Sequence, residues 1–581
     1  MGIPYDLCNT INLVLLETAG NTTGFEDDFE PQVRSADERF GDFQANGVLP
    51  YAKRNQQNPR ELAQKLIDNL PDNPNWEVSL AGPGFINFTL SADCLLQWLR
   101  NYDSTESLKS GSESIERKKV VLDFSSPNTA KQMHVGHIRS TIIGESLSRL
   151  LAFKGHDVIK DNHLGDWGTQ FGILLYAIKR SKTSLDALGD EPIAELEKLY
   201  RQGNQWTKED EGALTDARDE LVKLQNGDSE NLALWEKIRE LSLKAFEDIY
   251  EILGVQFDHN LGESFYRDQV DPVYHSLIEH KICKEDEGAL VVFHPEHKRF
   301  AKQPFIIRKS DGASNYATTD LATISYRVQE WKAEQIIYVT DSRQKDHFEQ
   351  LFLTSQKWFK AEERKLPNLS HVAFGTILGE DNKAIKTRDG EPIKLIDLLN
   401  EAIRKSAEMV REKSPDLEES EIRRRAEAIG LGAVKYADLS QDRTLDYVFS
   451  WEKLLALQGN TAPYLQYAVA RIRSIFRKTD KELSTISEEA RPPTTENERK
   501  LARKLMLFPL ALNQTEKELK PHFLCTYLYE LATEFSSFYN CDKVMVDEKD
   551  TFALRIMLCE RTLTWLSVGL EILGIDLLEE M

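Results

Sequence analysis

The 581-residue chain is 41% hydrophobic and 29% charged, with a formal net charge of −22. That balance suits soluble globular domains, and the length exceeds one core, so three or four domains are expected. The acidic charge argues against a nonspecific nucleic-acid binder and leaves room only for local basic patches; no apolar run reaches membrane-spanning length.

The opening Met1-Gly-Ile-Pro-Tyr-Asp lacks a basic region followed by an apolar one, so no signal peptide is read. The six cysteines (8, 94, 283, 525, 541, 559) are scattered without paired spacing. That pattern suits reduced thiols and a cytoplasmic protein.

Residues 1–115 read as an α+β module. Ile11 to Thr18 is an apolar helix, and Trp76 to Leu90 is a strand, a Gly-Pro-Gly turn and a strand. Between them, Phe40-Gly-Asp-Phe43-Gln44-Ala-Asn46 mixes aromatics and amides. Such a stretch packs a turn, or stacks on and hydrogen-bonds exposed bases. Ser104 to Ser114, rich in Ser and Gly, is expected to be a linker.

From Lys118 strand and helix alternate, which predicts a parallel sheet. The run Val120 to Phe124 is its first strand. Then comes Ser125-Ser126-Pro-Asn128-Thr-Ala-Lys131-Gln-Met-His134-Val-Gly136-His137, followed by a helix through Phe153. Strand, turn and helix start form a phosphate site, because helix N-terminal amides and the dipole face an anion. His134 and His137 share one face of the opening turn, and two imidazoles there can donate to phosphate oxygens. The same pair alone is also compatible with a metal pair or two satisfied surface histidines. No Cys, and no Glu directly after the first His, completes a zinc motif.

A second strand, His156 to Asn162, leads into the glycine-rich Leu164-Gly165-Asp166-Trp-Gly-Thr-Gln-Phe-Gly172. Residues of about 180–254 are charged and helical and read as an insertion. Strands resume at Val255-Gln-Phe-Asp and continue with a hairpin, Ala289 to Phe293 and Pro304 to Arg308. Tyr316-Ala-Thr-Thr-Asp320 opens a helix. The strand Gln335 to Thr340 ends in Asp341-Ser-Arg343-Gln344-Lys345-Asp-His347, a polar cluster where open parallel sheets bind ligands. The strand His371 to Leu378, containing Gly375, precedes a loop with Lys383, Lys386 and Arg388, either a solvated turn or a clamp over polyphosphate. Beyond about 392 the pattern is helical. It includes the helix Ala462 to Lys478, which carries Tyr464, Gln466, Tyr467 and Arg471, and a C-terminal bundle. No internal repeat is present.

These blocks resemble one family. Ser126-Pro-Asn-Thr-Ala-Lys-Gln-Met-His-Val-Gly-His137 is similar to the His-Ile-Gly-His signature of class I aminoacyl-tRNA synthetases, in the extended form of the arginyl enzymes. The Leu164 to Gly172, Tyr316 to Asp320, Phe40 to Asn46 and Phe552 to Met581 stretches resemble further blocks of that family, in family order.

The resemblance implies an N-terminal domain at 1–115 that touches the tRNA elbow. A Rossmann-type catalytic domain would follow at 116–395, a helical connecting region that contacts the stem at 396–455, and an all-α anticodon-binding domain at 456–581. It implies ATP, with Mg2+, and L-arginine and tRNA(Arg) as partners of a monomer without a structural metal. Arginyl-adenylate would form and then esterify the tRNA, in a reaction that waits for bound tRNA.

Carried over by motif, Lys131, His134 and His137 would be catalytic. Gly136, Gly375, Lys386 and Arg388 would join them around ATP. Glu263, Tyr316 and Asp320 would hold the guanidinium, and Ser126, Asn128 and Gln344 the amino-acid end. Phe40, Phe43, Gln44, Asn46, Tyr464, Gln466, Tyr467 and Arg471 would meet tRNA. Thr387 stands where the class I Lys-Met-Ser-Lys loop has its second Lys, so Lys131 is expected to carry more weight than Lys386. A small-molecule nucleotidylyltransferase, the cysteinyl synthetase and a noncatalytic RNA-binding relative are the competing readings. The two flanking modules, the scattered cysteines and the intact histidine motif respectively argue against them.

Overall fold

The computed structural model describes residues 2–310, 316–383, 385, 392–477 and 487–581, with the Tyr316 and Ser487 side chains excepted. It divides into two compact units, one of residues 1–115, 153–155 and 455–581, the other of 116–152 and 156–454. Among the described residues no helix is long and apolar enough to cross a membrane.

The second unit is built on a parallel sheet. Its strands Asn368–Phe374, Gln335–Asp341, Lys119–Asp123 and Asp157–Asp161 lie in that order. The inner strands are runs of Val, Ile and Leu because both faces are buried, as parallel sheets require. Helices Val135–Phe153, Tyr316–Gln329 and Lys345–Ala361 connect or cover them. A separate antiparallel sheet joins Lys284–Asp286, Ala289–Val292 and Phe305–Arg308.

The insertion is three helices, Pro192–Glu209, Glu211–Gln225 and Ser229–Leu253. Two strand readings change. Val255 to Asp258 forms no strand; its neighbour His259 makes only an isolated bridge to Asp161, and Lys160 O takes the amides of both Asp258 and His259. The strand from His371 breaks at Gly375, and Ile377–Leu378 pairs instead with a short strand, Tyr447–Val448, that the helical pattern had hidden.

One ion cluster ties the sheet to its cover. Arg327, fully buried on the helix that carries Asp320, donates through Nη2 to Asp123 at 2.6 Å and Asp161 at 2.7 Å. Both carboxylates sit at the C-terminal ends of adjacent strands.

The first unit joins sequence-distant parts. The antiparallel sheet Val33–Ser35, Phe43–Ala45, Phe85–Leu90 and Trp76–Ala81 belongs to the same compact body as the C-terminal bundle. Trp98 meets Trp565 at 5.9 Å between ring centroids. Arg499 and Arg561 donate to the carbonyls of Leu90 and Leu99. The expected linker is a helix, Thr105–Ser112. Ser104 and Ser107 form a reciprocal capping box, and Leu108 is buried. Serines signal helix starts as well as flexible chain.

Replacing Arg327 with Leu strands two buried carboxylates. We expect a loss of about 3–5 kcal/mol, read as a lowered denaturant midpoint for the unit that contains the parallel sheet. An unchanged midpoint would show the cluster to be dispensable.

Candidate active site

The loop from Phe124 to His134 is held in an unusual backbone path. Ser125, Ser126 and Ala130 all have positive φ (69°, 48° and 60°), a conformation that costs roughly 1–3 kcal/mol per non-glycine residue and clusters at functional sites. The surrounding structure enforces it. Ser126 N–H donates to Asn162 and its hydroxyl to Asp123, at 3.1 and 3.0 Å. Ser125 N–H donates to Ser140 Oγ, and its own Oγ meets Tyr250 Oη. Ala130 N–H donates to Ser242, and Gln132 N–H to Glu197. Tyr250, Ser242 and Glu197 belong to the insertion, which therefore shapes the loop.

Asn128 is exposed and bridges to Gly165 of the glycine-rich turn. At the loop's end, Val135 N–H donates to Ile393 O and Leu395 N–H to Met133 O.

The histidine pair is preorganised. Its ring centroids are 4.1 Å apart. Gly136 N–H donates to His134 Nδ1 at 3.0 Å, and His134 N–H to His137 Nδ1 at 3.1 Å. With its Nδ1 accepting, the His134 ring carries its proton on Nε2 and can donate it to a ligand, whereas His137 Nδ1 faces both His134 N–H and, at 3.3 Å, His134 O. A side chain at position 136 would press on the His134 ring at 2.8 Å, so glycine is what lets that imidazole fold back on the amide. Burial, then the His134 and Lys131 charges, pushes His137 down to about 3. Burial, Arg343 and Lys131 lower His134. Both are therefore neutral donors at neutral pH.

Lys131 is exposed, 5.8 Å from the Tyr200 ring centroid, and lines a cavity of about 750 Å3 with Lys244, Asp248 and Lys394.

The carboxylates Glu263 and Asp320 lie on two helices that pack together. Glu263 opens the short helix Glu263–Tyr266, which packs on the Asp320 helix. Buried Asp166 fixes this helix start by accepting from Ser264 N and Oγ at 2.9 and 2.8 Å, while Arg239 pairs with it at 3.2 Å. Burial, with repulsion from Asp320 and Asp166, pushes Glu263 up to about 8. Among the described residues no side chain forms an ion pair with Glu263. Asp320 Oδ2 meets His347 Nε2 at 2.5 Å. Gln344 is exposed in the turn that follows the strand Gln335–Asp341.

Gly375 is buried where a Cβ would strike Leu445 backbone at 2.7 Å, so packing alone accounts for that glycine. Lys386, Arg388 and the Tyr316 side chain lie outside the described residues.

The residues expected to meet tRNA divide by exposure. Phe40 (46%) and Tyr467 (45%) are open to solvent, whereas Phe43 (1%) and Gln466 (0%) are core. Gln466 Nε2 donates to Asp576 O. Gln44 bonds Asn87, and both amide atoms of Asn46 are buried without a hydrogen-bond partner. Arg34, Phe40, Gln44 and Phe85 line a cavity of about 520 Å3. Tyr464 meets Tyr529 at 5.7 Å, and Arg471 lies 4.4 Å from the Tyr539 ring centroid. Sequence reasoning gave no role to Asp166, Arg327 or His347. Only the cluster after strand Gln335–Asp341 signalled His347.

Family models match along the chain: "Arginyl tRNA synthetase N terminal domain" over 9–90, "tRNA synthetases class I (R), catalytic domain" over 103–451, and "DALR anticodon binding domain" over 465–581. The arginine–tRNA ligase of Crocosphaera subtropica is 44% identical, with 95% of this chain and 96% of that protein aligned. That of Chromobacterium violaceum is 43% identical over 93% and 94%. The crystal structure of arginyl-tRNA synthetase from Plasmodium falciparum superposes with a TM-score of 0.85 at 29% identity, covering 100% of both chains. The Thermus thermophilus arginyl-tRNA synthetase shares the fold, with a TM-score of 0.83 at 23% identity over 99% of this chain and 100% of that one. The chain belongs to the arginyl-tRNA synthetase family of the class I aminoacyl-tRNA synthetases.

Proposed function

We propose that this protein attaches L-arginine to tRNA(Arg) at the expense of ATP, through arginyl-adenylate, acting as a cytoplasmic monomer. The observation that carries the arginine assignment is the half-buried acidic pair of Glu263 and Asp320 on two packed helices. An acid left with no ion-pair partner and crowded by a second carboxylate awaits a cationic ligand, and a guanidinium suits two carboxylates through its fork of donors.

In the first step the arginine carboxylate attacks the α-phosphorus of ATP in line, and the bond to the β-phosphate oxygen breaks, releasing pyrophosphate. In the second, a ribose hydroxyl of the terminal adenosine attacks the acyl carbon and AMP leaves. Neither step needs a covalent enzyme nucleophile; positioning and charge stabilisation suffice.

His134 and His137, both neutral, donate ring N–H groups to phosphate oxygens. Lys131 offsets the charge that grows toward pyrophosphate, with Lys386 and Arg388 of the following loop. Ser126, Asn128 and Gln344 orient the α-amino and carboxylate groups, and Tyr316 flanks the side chain. Mg2+ would arrive on the nucleotide and shield its phosphates. The phosphate-side residues are donors and cations, which fit a metal carried by ATP rather than one held by the protein.

For tRNA, the open Phe40 suits an unstacked base at the elbow, with Gln44 beside it and Asn46, whose amide is buried, as a support. Tyr467, Tyr464 and Arg471 suit the anticodon. Phe43 and Gln466 act from the core, as supports for those surfaces.

Pyrophosphate exchange with each of the twenty amino acids, with and without tRNA, tests the whole reading. We expect exchange with arginine alone, and only when tRNA is present. Exchange with another amino acid would overturn the pocket assignment, and exchange without tRNA would remove the coupling.

The pH dependence of arginine binding follows from Glu263. Its raised pKa, about 8, leaves it mostly protonated at pH 6–7, whereas guanidinium pairing needs the carboxylate. The Michaelis constant for arginine should fall by up to about tenfold per unit as pH rises toward 8, then level off. Glu263→Gln should raise that constant and flatten the profile. A wild-type profile flat from pH 6 to 9 would refute the role.

Lys131→Ala should slow adenylate formation about a hundredfold or more, a loss of roughly 3 kcal/mol, and more than Lys386→Ala does. The reverse order in single-turnover assays would return the main charge to Lys386.

A further inference from the structure

His347 makes a contact that the arginine pocket, as read above, leaves unused. The residue opens the helix Lys345–Ala361, three positions after Gln344. Its Nε2 lies 2.5 Å from Asp320 Oδ2, between two different helices. The ring is fixed from two sides: Phe305 of the antiparallel sheet is 5.6 Å from it and Phe348 5.4 Å, centroid to centroid. Its side chain keeps 31% of its surface exposed and that of Asp320 19%, so the pair is half-buried rather than part of the core. A carboxylate oxygen can only accept, so the proton lies on Nε2 and His347 is the donor.

We infer that His347 is a positioning residue for arginine specificity, which grips one oxygen of Asp320 so that the other faces the guanidinium. The inference rests on the reading of Asp320 as a guanidinium partner. A carboxylate on a helix turns about χ2 with little resistance, and a bidentate guanidinium contact demands one plane and one edge. A fixed donor on one oxygen restricts that rotation before the substrate arrives, and binding then costs less ordering.

The grip has an electrostatic side. Burial lowers the basicity of His347, but the hydrogen bond and charge of Asp320 raise it overall. The imidazole thereby offsets part of the negative charge of Asp320. The neighbouring charged groups differ in kind: Arg239 serves Asp166, and Arg343 is engaged with Asp341 through a double contact at 2.8 and 2.9 Å. Among the described residues, His347 is the basic side chain recorded as an ion-pair partner of Asp320.

The test is a set of four variants assayed by aminoacylation of tRNA in the full-length protein. His347→Phe keeps a ring between Phe305 and Phe348 and removes the donor. His347→Gln places an amide N–H near the position of Nε2 and cannot carry charge. His347→Ala removes both, and Asp320→Asn tests the underlying pocket.

The expected result is a rise of about tenfold in the Michaelis constant for arginine in the Phe and Ala variants. Their turnover number should stay within about threefold, and the constant for ATP and the thermal midpoint of the Phe variant should be unchanged. The Gln variant should restore the arginine constant to within about threefold of wild type. If the Ala variant does not fold, the Phe and Gln pair carries the comparison.

A Phe variant with normal arginine kinetics would overturn the inference, since packing alone would then explain the ring. A loss confined to turnover would overturn it too. If Asp320→Asn raises the arginine constant but His347→Phe does not, only the inference fails. If Asp320→Asn has no effect, the pocket reading falls and the inference with it.

Discussion

The arrangement at the strand ends depends on a single buried cation. Arg327 reaches from a covering helix to Asp123 and Asp161 on two neighbouring strands. Those carboxylates could not stay buried as a bare pair, because desolvated like charges repel at short range. With the guanidinium between them they become fixed acceptors. Asp123 is then free to take the Ser126 hydroxyl through its other oxygen, which helps to hold the loop in its left-handed path. Seven residues earlier on the same helix sits Asp320. The cation thus fixes the Ser126 loop and the Asp320 helix against the same strand ends.

The two ends of the cleft use opposite electrostatic strategies. At the histidine pair, burial keeps both imidazoles neutral and the Gly136 amide sets the His134 tautomer, so a donor is presented without charge. At the Glu263 end, burial and two neighbouring acids favour the protonated form of a carboxyl. Each end is costly in the free protein, and each cost is met by surrounding structure: Ser140, Tyr250 and Ser242 around the loop, Arg239 and Ser264 around Asp166. The insertion takes part in this support, which explains why a long helical stretch interrupts the sheet so close to the motif.

What was legible in the sequence was local. The strand, turn and His-x-Gly-His series is continuous, and its spacing alone placed two rings on one face. Buried strands read as runs of Val and Ile, and helices by their period. What escaped was long-range. Arg327 finds its partners 204 and 166 positions away, and His347 finds Asp320 at a separation of 27. Composition also could not separate surface from core, so Phe43 and Gln466 looked as available as Phe40 and Tyr467. The Ser-rich segment misled for a chemical reason, because side chains that favour disorder also cap helices. The apolar Val255 stretch misled because its backbone partner, Lys160, lies at a sheet edge where only a bridge forms.

The body that unites residues 1–115 with 455–581 has a consequence for biosynthesis. The polypeptide leaves the ribosome from its N-terminal side, and domains generally fold as units during that passage. The catalytic unit, nearly contiguous from 116 to 454, has all its partners as soon as residue 454 emerges. The first module is made earlier but completed later, since the indole that meets Trp98 and the guanidinium groups that take the Leu90 and Leu99 carbonyls come from positions 565, 499 and 561. Until then Trp98 lacks its Trp565 contact, so the oldest part of the nascent chain is the last to reach its finished surface.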